Sequence, residues 1–343
     1  MNIYYSETHK QHNPPFEIFD GGEKVPNFEV PERAERILTA LKQTNWVRIL
    51  PPEDFGLKPI LAVHDNDYIE FLQTAYAEWL QTETDALYEK SALLPATFPP
   101  RDWQHKPKAL LGRAGYFMHD LSAPITAGTY SAALAAAHCA LSAAKAILAE
   151  EKSSFALCRP PGHHAGRSSC AGYCYINNAA VAANWLSNRG RTAILDIDYH
   201  AGNGTQDIFY QRADVLTISI HADPDHEYPY FCGYAEETGA GKGFGFHHNY
   251  PLPRGTDTLR YLISLRDALG LIKSFETEYL VISTGMDLFE GDPLGKFNIT
   301  KTGIHQIGQE IASLDMHNLI VMEGGYNNTA LGENIVTFLE AFR

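Results

Sequence analysis

Two adjacent histidines, His163 and His164, follow the segment Arg159-Pro160-Pro161-Gly162. Prolines there exclude regular helix and a central strand, and imidazole is the side chain best suited to proton transfer near neutral pH. Further on, DIDYHAGNG sets Asp196, Asp198 and His200 at alternate positions, with Asn203 close behind. Alternate residues of an extended segment share a face. An Asp-x-His pair joined by a distant aspartate, Asp287 in STGMD, supplies three protein ligands and leaves a position for water, which is the layout of a catalytic zinc site. A lone DxDxH is more often a hydrogen-bonded strand terminus; the other polar strand ends reverse those odds. Ser219 and His221 close a third apolar run, and Gly324-Gly325-Tyr326 presents a phenol on a tight turn whose glycines let backbone approach a ligand closely.

These residues need a frame. Apolar, β-branched runs at 154–157, 192–197, 215–220, 279–283 and 318–322 read as buried parallel strands. Helical patterns at 129–150, 178–188, 257–275 and 301–314 separate them, so the chain alternates strand and helix around a parallel sheet covered on both faces. Ligands of such sheets sit beyond the carboxyl ends of the strands, where each run above delivers its polar residues. Nearer the N-terminus, 33–43 and 67–80 are predicted helices, and 82–126 breaks into a segment with prolines and aromatics, of the length that is usually functional or packs on a partner. The stretch 228–254 is read as irregular. Its Gly239, Gly241, Gly243 and Gly245 mimic a dinucleotide fingerprint without the helix that such a motif opens.

Composition narrows the classes. With 343 residues, 45% hydrophobic and 20% charged, the chain suits a soluble globular protein. A net charge of −14 disfavours a nucleic-acid partner and favours a cationic ligand. No signal-like N-terminus and no run of about 18 apolar residues is visible, so a cytoplasmic location and no membrane partner are expected. The five cysteines, Cys139, Cys158, Cys170, Cys174 and Cys232, are unpaired by spacing and odd in number, which argues against disulfides and a cysteine zinc site.

Taken together, RPPGHHA, GYCYINNAAVAA, DIDYHAGNGTQDIF, STGMD through GDP, and EGGYN, with VPERAERIL and VHDNDY near the N-terminus, resemble the arginase-fold histone deacetylase family over nearly the whole chain, and within it the bacterial acetylpolyamine amidohydrolases. The resemblance implies one catalytic domain over 1–343, three-layer α/β/α with an eight-stranded parallel sheet, and an insertion at about 82–126. It implies one zinc ion on Asp198, His200 and Asp287, with His164 as general base and then acid, and His163 as its electrostatic partner. Asp196 would support His163, Asn203 would sit behind His164, Tyr326 would polarise the scissile carbonyl, and Tyr173 and Tyr228 would wall a narrow tunnel. Structural potassium is expected too, one site falling on Asp196, Asp198, His200, Ser219 and Ile220.

Ala201 stands where many members carry a second histidine, and Asn203 where many carry aspartate; a neutral partner stabilises an imidazolium less. Where an acidic residue is expected at the tunnel mouth the chain has His119-Asp120-Leu121-Ser122, leaving Glu17 and Asp120 as candidates for the distal ammonium of a small acylated amine. Deacylation of polyamines and of lysine in peptides or proteins both stay open, against a non-catalytic metal protein or a two-metal ureohydrolase. A homodimer is expected, with the 82–126 segment, its Pro95–Pro100 run and an exposed Trp103, Tyr116 and Phe117 narrowing the tunnel from the partner.

Overall fold

The computed structural model describes residues 1–82, 90–100 and 105–343. Eight parallel strands form one sheet in the order β4-β1-β5-β10-β9-β6-β7-β8, where β1 is Asn2–Tyr4, β4 Arg48–Leu50, β5 Ser153–Ala156, β6 Thr192–Asp196, β7 Val215–Ala222, β8 His247–Leu252, β9 Tyr279–Thr284 and β10 His317–Met322. A small antiparallel hairpin, β2 (Glu17–Phe19) with β3 (Glu23–Val25), stands apart from it. Consecutive residues of the central strands face opposite sides. Leu319 and Val321 join one core; Ile320 and Met322 join the other. That double burial explains the unbroken apolar runs.

The first core packs under α3 (Asn66–Gln81), α4 (Leu110–Phe117), α5 (Thr129–Leu148) and α6 (Asn178–Leu186), and the second under α1 (Glu32–Lys42), α8 (Thr258–Ser274), α9 (Lys301–Ala312) and α10 (Leu331–Leu339). The short α2 (Lys58–Leu61) and α7 (Asn203–Phe209) complete the set. The architecture is therefore α/β/α in three layers around an eight-stranded parallel sheet, as expected. Three helices, α6, α8 and α9, open on a side-chain cap: Asn177, Asp257 and Thr300 accept from the backbone N–H groups of Ala180, Arg260 and Gly303, as N-cap residues do.

Two expectations need correction. The stretch 228–254 contains β8, an edge strand whose HHNYPL sequence carries polar residues and a proline that only an edge tolerates. The 82–126 segment contains α4, and Phe117 is buried there against Phe71 and Tyr68 rather than exposed; Tyr116 is half-buried, and Trp103 lies outside the described residues. One helix, α5, is long and apolar enough on average to cross a membrane, though Ser131, His138, Ser142 and Lys145 interrupt it, and most of it is buried in the core. Four of the cysteines are buried and Cys232 is half-buried, all as free thiols.

Candidate metal centre and active site

The five strands with polar ends are neighbours in the sheet, β5-β10-β9-β6-β7, and their carboxyl ends converge. β6 stops at Asp196, so Asp198 and His200 sit on the turn beyond it rather than on the strand. That turn is self-bonded: Asp196 Oδ1 accepts from Asp198 N at 3.0 Å, and Asp198 Oδ1 from His200 N at 2.9 Å. Asp287 follows β9 and accepts from Tyr199 N at 3.0 Å. The carboxylates of Asp198 and Asp287 and the imidazole of His200 gather with one ligand atom each within 4.8 Å of one another, His200 Nδ1 lying 3.1 Å from Asp287 Oδ2 and 3.3 Å from Asp198 Oδ1. Hydrogen is the only substituent that Gly285 and Gly324 admit here. A Cβ at Gly285 would lie 1.9 Å from Asp198 Oδ2, and one at Gly324 2.4 Å from Asp287 Oδ2.

The electrostatics of the trio favour a bound cation. Burial opposes the charge on Asp198, yet His163 and His200 hold it well below the usual carboxylate range. Burial and the neighbouring Asp198 charge push Asp287 up to about 7. Burial discourages a charge on His200, but its bonds to both aspartates lift it to about 10. Two buried carboxylates competing for one proton source fit a dication bound by hard oxygen and borderline nitrogen donors. A second group, His163, Cys174 and Glu323, is comparably close. Burial holds the Cys174 thiol far above its ordinary pKa, and a thiol that stays protonated is a poor ligand.

The histidine pair sits beside the trio with ring centroids 3.9 Å apart. His163 Nδ1 meets Asp196 Oδ2 at 2.9 Å; burial disfavours its charge, but Asp198 and Asp196 hold its pKa well above the ordinary value. Burial, and then the neighbouring His163 and His200, drive His164 well below that value. His164 Nδ1 meets Asn203 Oδ1 at 2.6 Å. An amide oxygen only accepts, so Nδ1 carries the proton and Nε2 keeps its lone pair. Ala201 is buried against Gly233.

Tyr326 and the tunnel walls complete the site. Tyr326 N donates to Asp292 Oδ2 at 2.6 Å, and the Arg33 guanidinium stacks 4.7 Å from the phenol ring. Burial raises the phenol well above its ordinary pKa, so it is a hydrogen-bond donor. Tyr228 stands edge-on to His164 and His200, at 4.9 and 6.0 Å between centroids, and Tyr173 lies 5.5 Å from Tyr326. A cavity of about 580 Å³ opens over them, lined by His164, His200, Tyr173, Tyr228, Tyr326 and Asp120, among others. Gly172, with φ +50°, allows the close approach of this wall: a Cβ there would meet His164 Cδ2 at 2.4 Å.

The two acidic candidates are placed differently. Asp120 is on the cavity, but its Oδ2 already accepts from Tyr228 Oη at 2.8 Å and Gly172 N at 2.7 Å, and its Oδ1 from Ser122 N at 3.0 Å. Glu17 is fully buried and accepts from Phe28 N at 2.9 Å; burial pushes it up to about 7. Its neighbours Ile18 and Phe19 line the cavity and Glu17 does not. Potassium was expected on Asp196, Asp198, His200, Ser219 and Ile220; Asp196 and Ser219 are register partners of β6 and β7.

Sequence reasoning missed the groups that hold this site from behind. Glu323, at the end of β10, accepts from Gly162 N at 2.7 Å and His163 N at 3.1 Å and so pins the histidine turn. Arg33, in the first turn of α1, donates to the carbonyls of Gly325 at 2.6 Å and Glu323 at 2.7 Å. Glu29 bridges Arg33 and Arg159 at 2.7 and 2.9 Å, all three buried. The available signal was a charged residue at the end of a fully apolar strand, as in VMEGGY and ALCRPPG, since a buried charge needs partners.

Residues 27–342 match the histone deacetylase domain. The chain is 44% identical, over all its length and 99% of the relative, to acetylpolyamine amidohydrolase 1 of Pseudomonas aeruginosa. It is 43% identical to the acetylpolyamine amidohydrolase of Mycoplana ramosa over 99% of each chain. The crystal structure of acetylpolyamine aminohydrolase from Burkholderia pseudomallei superimposes with a TM-score of 0.95 at 37% identity, covering 100% of this chain and 98% of that one.

Proposed function

The chain belongs to the histone deacetylase family, and from that premise we propose that it removes acetyl or other short acyl groups from acetylated polyamines or related small amines, with one zinc ion held by Asp198, His200 and Asp287. The observation that carries this reading is the meeting of that ligand trio, whose His200 lines the cavity, with a neutral His164 and a protonated Tyr326 on the same cavity. The names and full-length similarity of the acetylpolyamine amidohydrolases support the choice of substrate.

When bound, the zinc supplies Lewis acidity toward the water and the amide carbonyl. His164, its Nδ1 engaged by Asn203, offers Nε2 to take the proton of the attacking water and return it to the leaving amine. His163, paired with Asp196, stays cationic and favours negative charge nearby. Tyr326 donates to the carbonyl oxygen as charge develops on it, while Asp292 fixes its backbone. Tyr173 and Tyr228 exclude water from the acyl-bearing chain. We read 1–343 as a single domain, and potassium at the ends of β6 and β7 as structural. Pairing of copies through the 82–126 segment is supported by the exposed Phe98 and Leu111.

The test is hydrolysis of acetylputrescine and acetylcadaverine by the zinc-loaded protein, beside an acetyl-lysine peptide. The small amines should be the better substrates, and Asp287→Ala should lose bound zinc and turnover together. A preference for the peptide moves the reading to a protein deacylase; full turnover without metal sinks the mechanism.

A further inference from the structure

Fixed charge around the cavity is not what a simple polycation requires. Apart from its tyrosines, its ionisable lining comprises Asp120, Glu227, Arg254, Lys296 and the histidines. Asp120 is engaged by three donors, and burial raises its pKa. Glu227 is matched: Arg254 Nε binds its carboxylate, and Arg254 Nη2 donates to the His226 carbonyl at 2.9 Å. Lys296 is not matched. Its ammonium reaches the Pro293 carbonyl at 3.3 Å, and among the described residues no carboxylate lies within 4.0 Å of it. The two cationic segments are tied side by side by Gly255 N donating to Lys296 O at 2.7 Å. Among the described residues, one positive charge is therefore left without an opposite partner on this wall, although the chain as a whole carries a net charge of −14.

We propose that Lys296, beside the Arg254–Glu227 pair, forms a carboxylate-recognising subsite at the cavity, so that the favoured substrate is an ω-acetylated diamino acid with a zwitterionic distal end rather than a plain acetylated diamine. This rests on the small-amine deacetylase reading and names the substrate class within it. A carboxylate there completes the charge balance that the described residues leave open. A bare distal ammonium meets Lys296 as a like charge. The contact is at a solvated rim, so its effect is a few-fold and salt-sensitive.

Nε-acetyl-lysine and N-acetylcadaverine differ only in the carboxylate, and their kcat/KM ratio on the zinc-loaded protein isolates the subsite. Lys296→Met should lower kcat/KM for acetyl-lysine about fivefold, chiefly through KM, and raise that for acetylcadaverine about twofold. Lys296→Glu should move the ratio further the same way, and high salt should shrink the wild-type ratio. An equal effect of Lys296→Met on both substrates overturns the subsite, as does a wild type that cleaves acetylcadaverine and leaves acetyl-lysine intact. A wild type that cleaves neither overturns the small-amine reading itself.

Discussion

Glu323 is fully buried and takes two backbone N–H groups on one carboxylate oxygen; the other oxygen has no partner. Burial raises its pKa from 4.5 to about 7, with the His163 charge pulling the other way. A carboxyl that binds its proton more tightly in the folded chain than in the unfolded one loses stabilisation as pH rises, here from about 4.5 through 7. At about 1.4 kcal/mol per pKa unit the loss is about 3 kcal/mol. Glu323→Gln keeps an acceptor for Gly162 N and His163 N but cannot ionise. Its unpartnered NH₂ costs about 1–3 kcal/mol at every pH, an offset without slope. Urea denaturation of the metal-free wild type and variant from pH 5 to pH 8 separates the two effects. The variant should gain about 2.5 kcal/mol relative to wild type across that range. A flat difference would mean that Glu323 is ionised throughout, with the His163 charge outweighing burial, and its place as a neutral anchor of the histidine turn would fall.

The remaining predictions concern turnover and assembly. His164→Ala should cost about 10²–10⁴-fold in kcat, the range of acid–base catalysis, with His163→Ala milder; the reverse order would move the base to His163. Tyr326→Phe keeps the ring and removes the donor, so kcat should fall about 10²–10³-fold with KM little changed, and wild-type turnover would remove Tyr326 from the reaction. Deleting the 82–126 segment would strip Leu110, Phe117 and Met118 from the core, so pairing is better tested with Phe98→Ser plus Leu111→Ser. Light scattering should show a dimeric wild type and a monomeric variant, and a monomeric wild type ends the dimer proposal.

What was legible in the sequence follows from burial. Strands β5, β6, β7, β9 and β10 are central and covered on both faces, so they spell uninterrupted apolar runs whose polar ends stand out. β1 and β4 have three residues each, too few for a pattern, and β8 is a partly polar edge. The residues that meet substrate or metal were visible as histidines, aspartates and a tyrosine on those ends. The residues that hold them were not. Arg33 lies in a charged helical stretch, PERAER, that reads as a solvated face, yet it is buried because two carbonyls and Glu29 take up its donors. Helical periodicity does not reveal partners nearly 300 residues away.

The acidic candidates at the mouth show the same limit from the side of function. A carboxylate's presence near a tunnel can be read from order and family resemblance; its availability cannot. Asp120 meets Tyr228, 108 residues further along, and Gly172, 52 residues further along, through one oxygen. It thereby ties the loop bearing Tyr173 to the tyrosine that faces His164. Three of that carboxylate's roughly four acceptor sites are filled in this way, and each such bond to a charged group is worth about 1.5–3 kcal/mol. Asp120 thus braces the tunnel walls more readily than it binds cations. Among the described residues that line the cavity, the charge without an opposite partner is the ammonium of Lys296, and the chemistry of the substrate's distal end is better sought against that group than against Asp120 and Glu17.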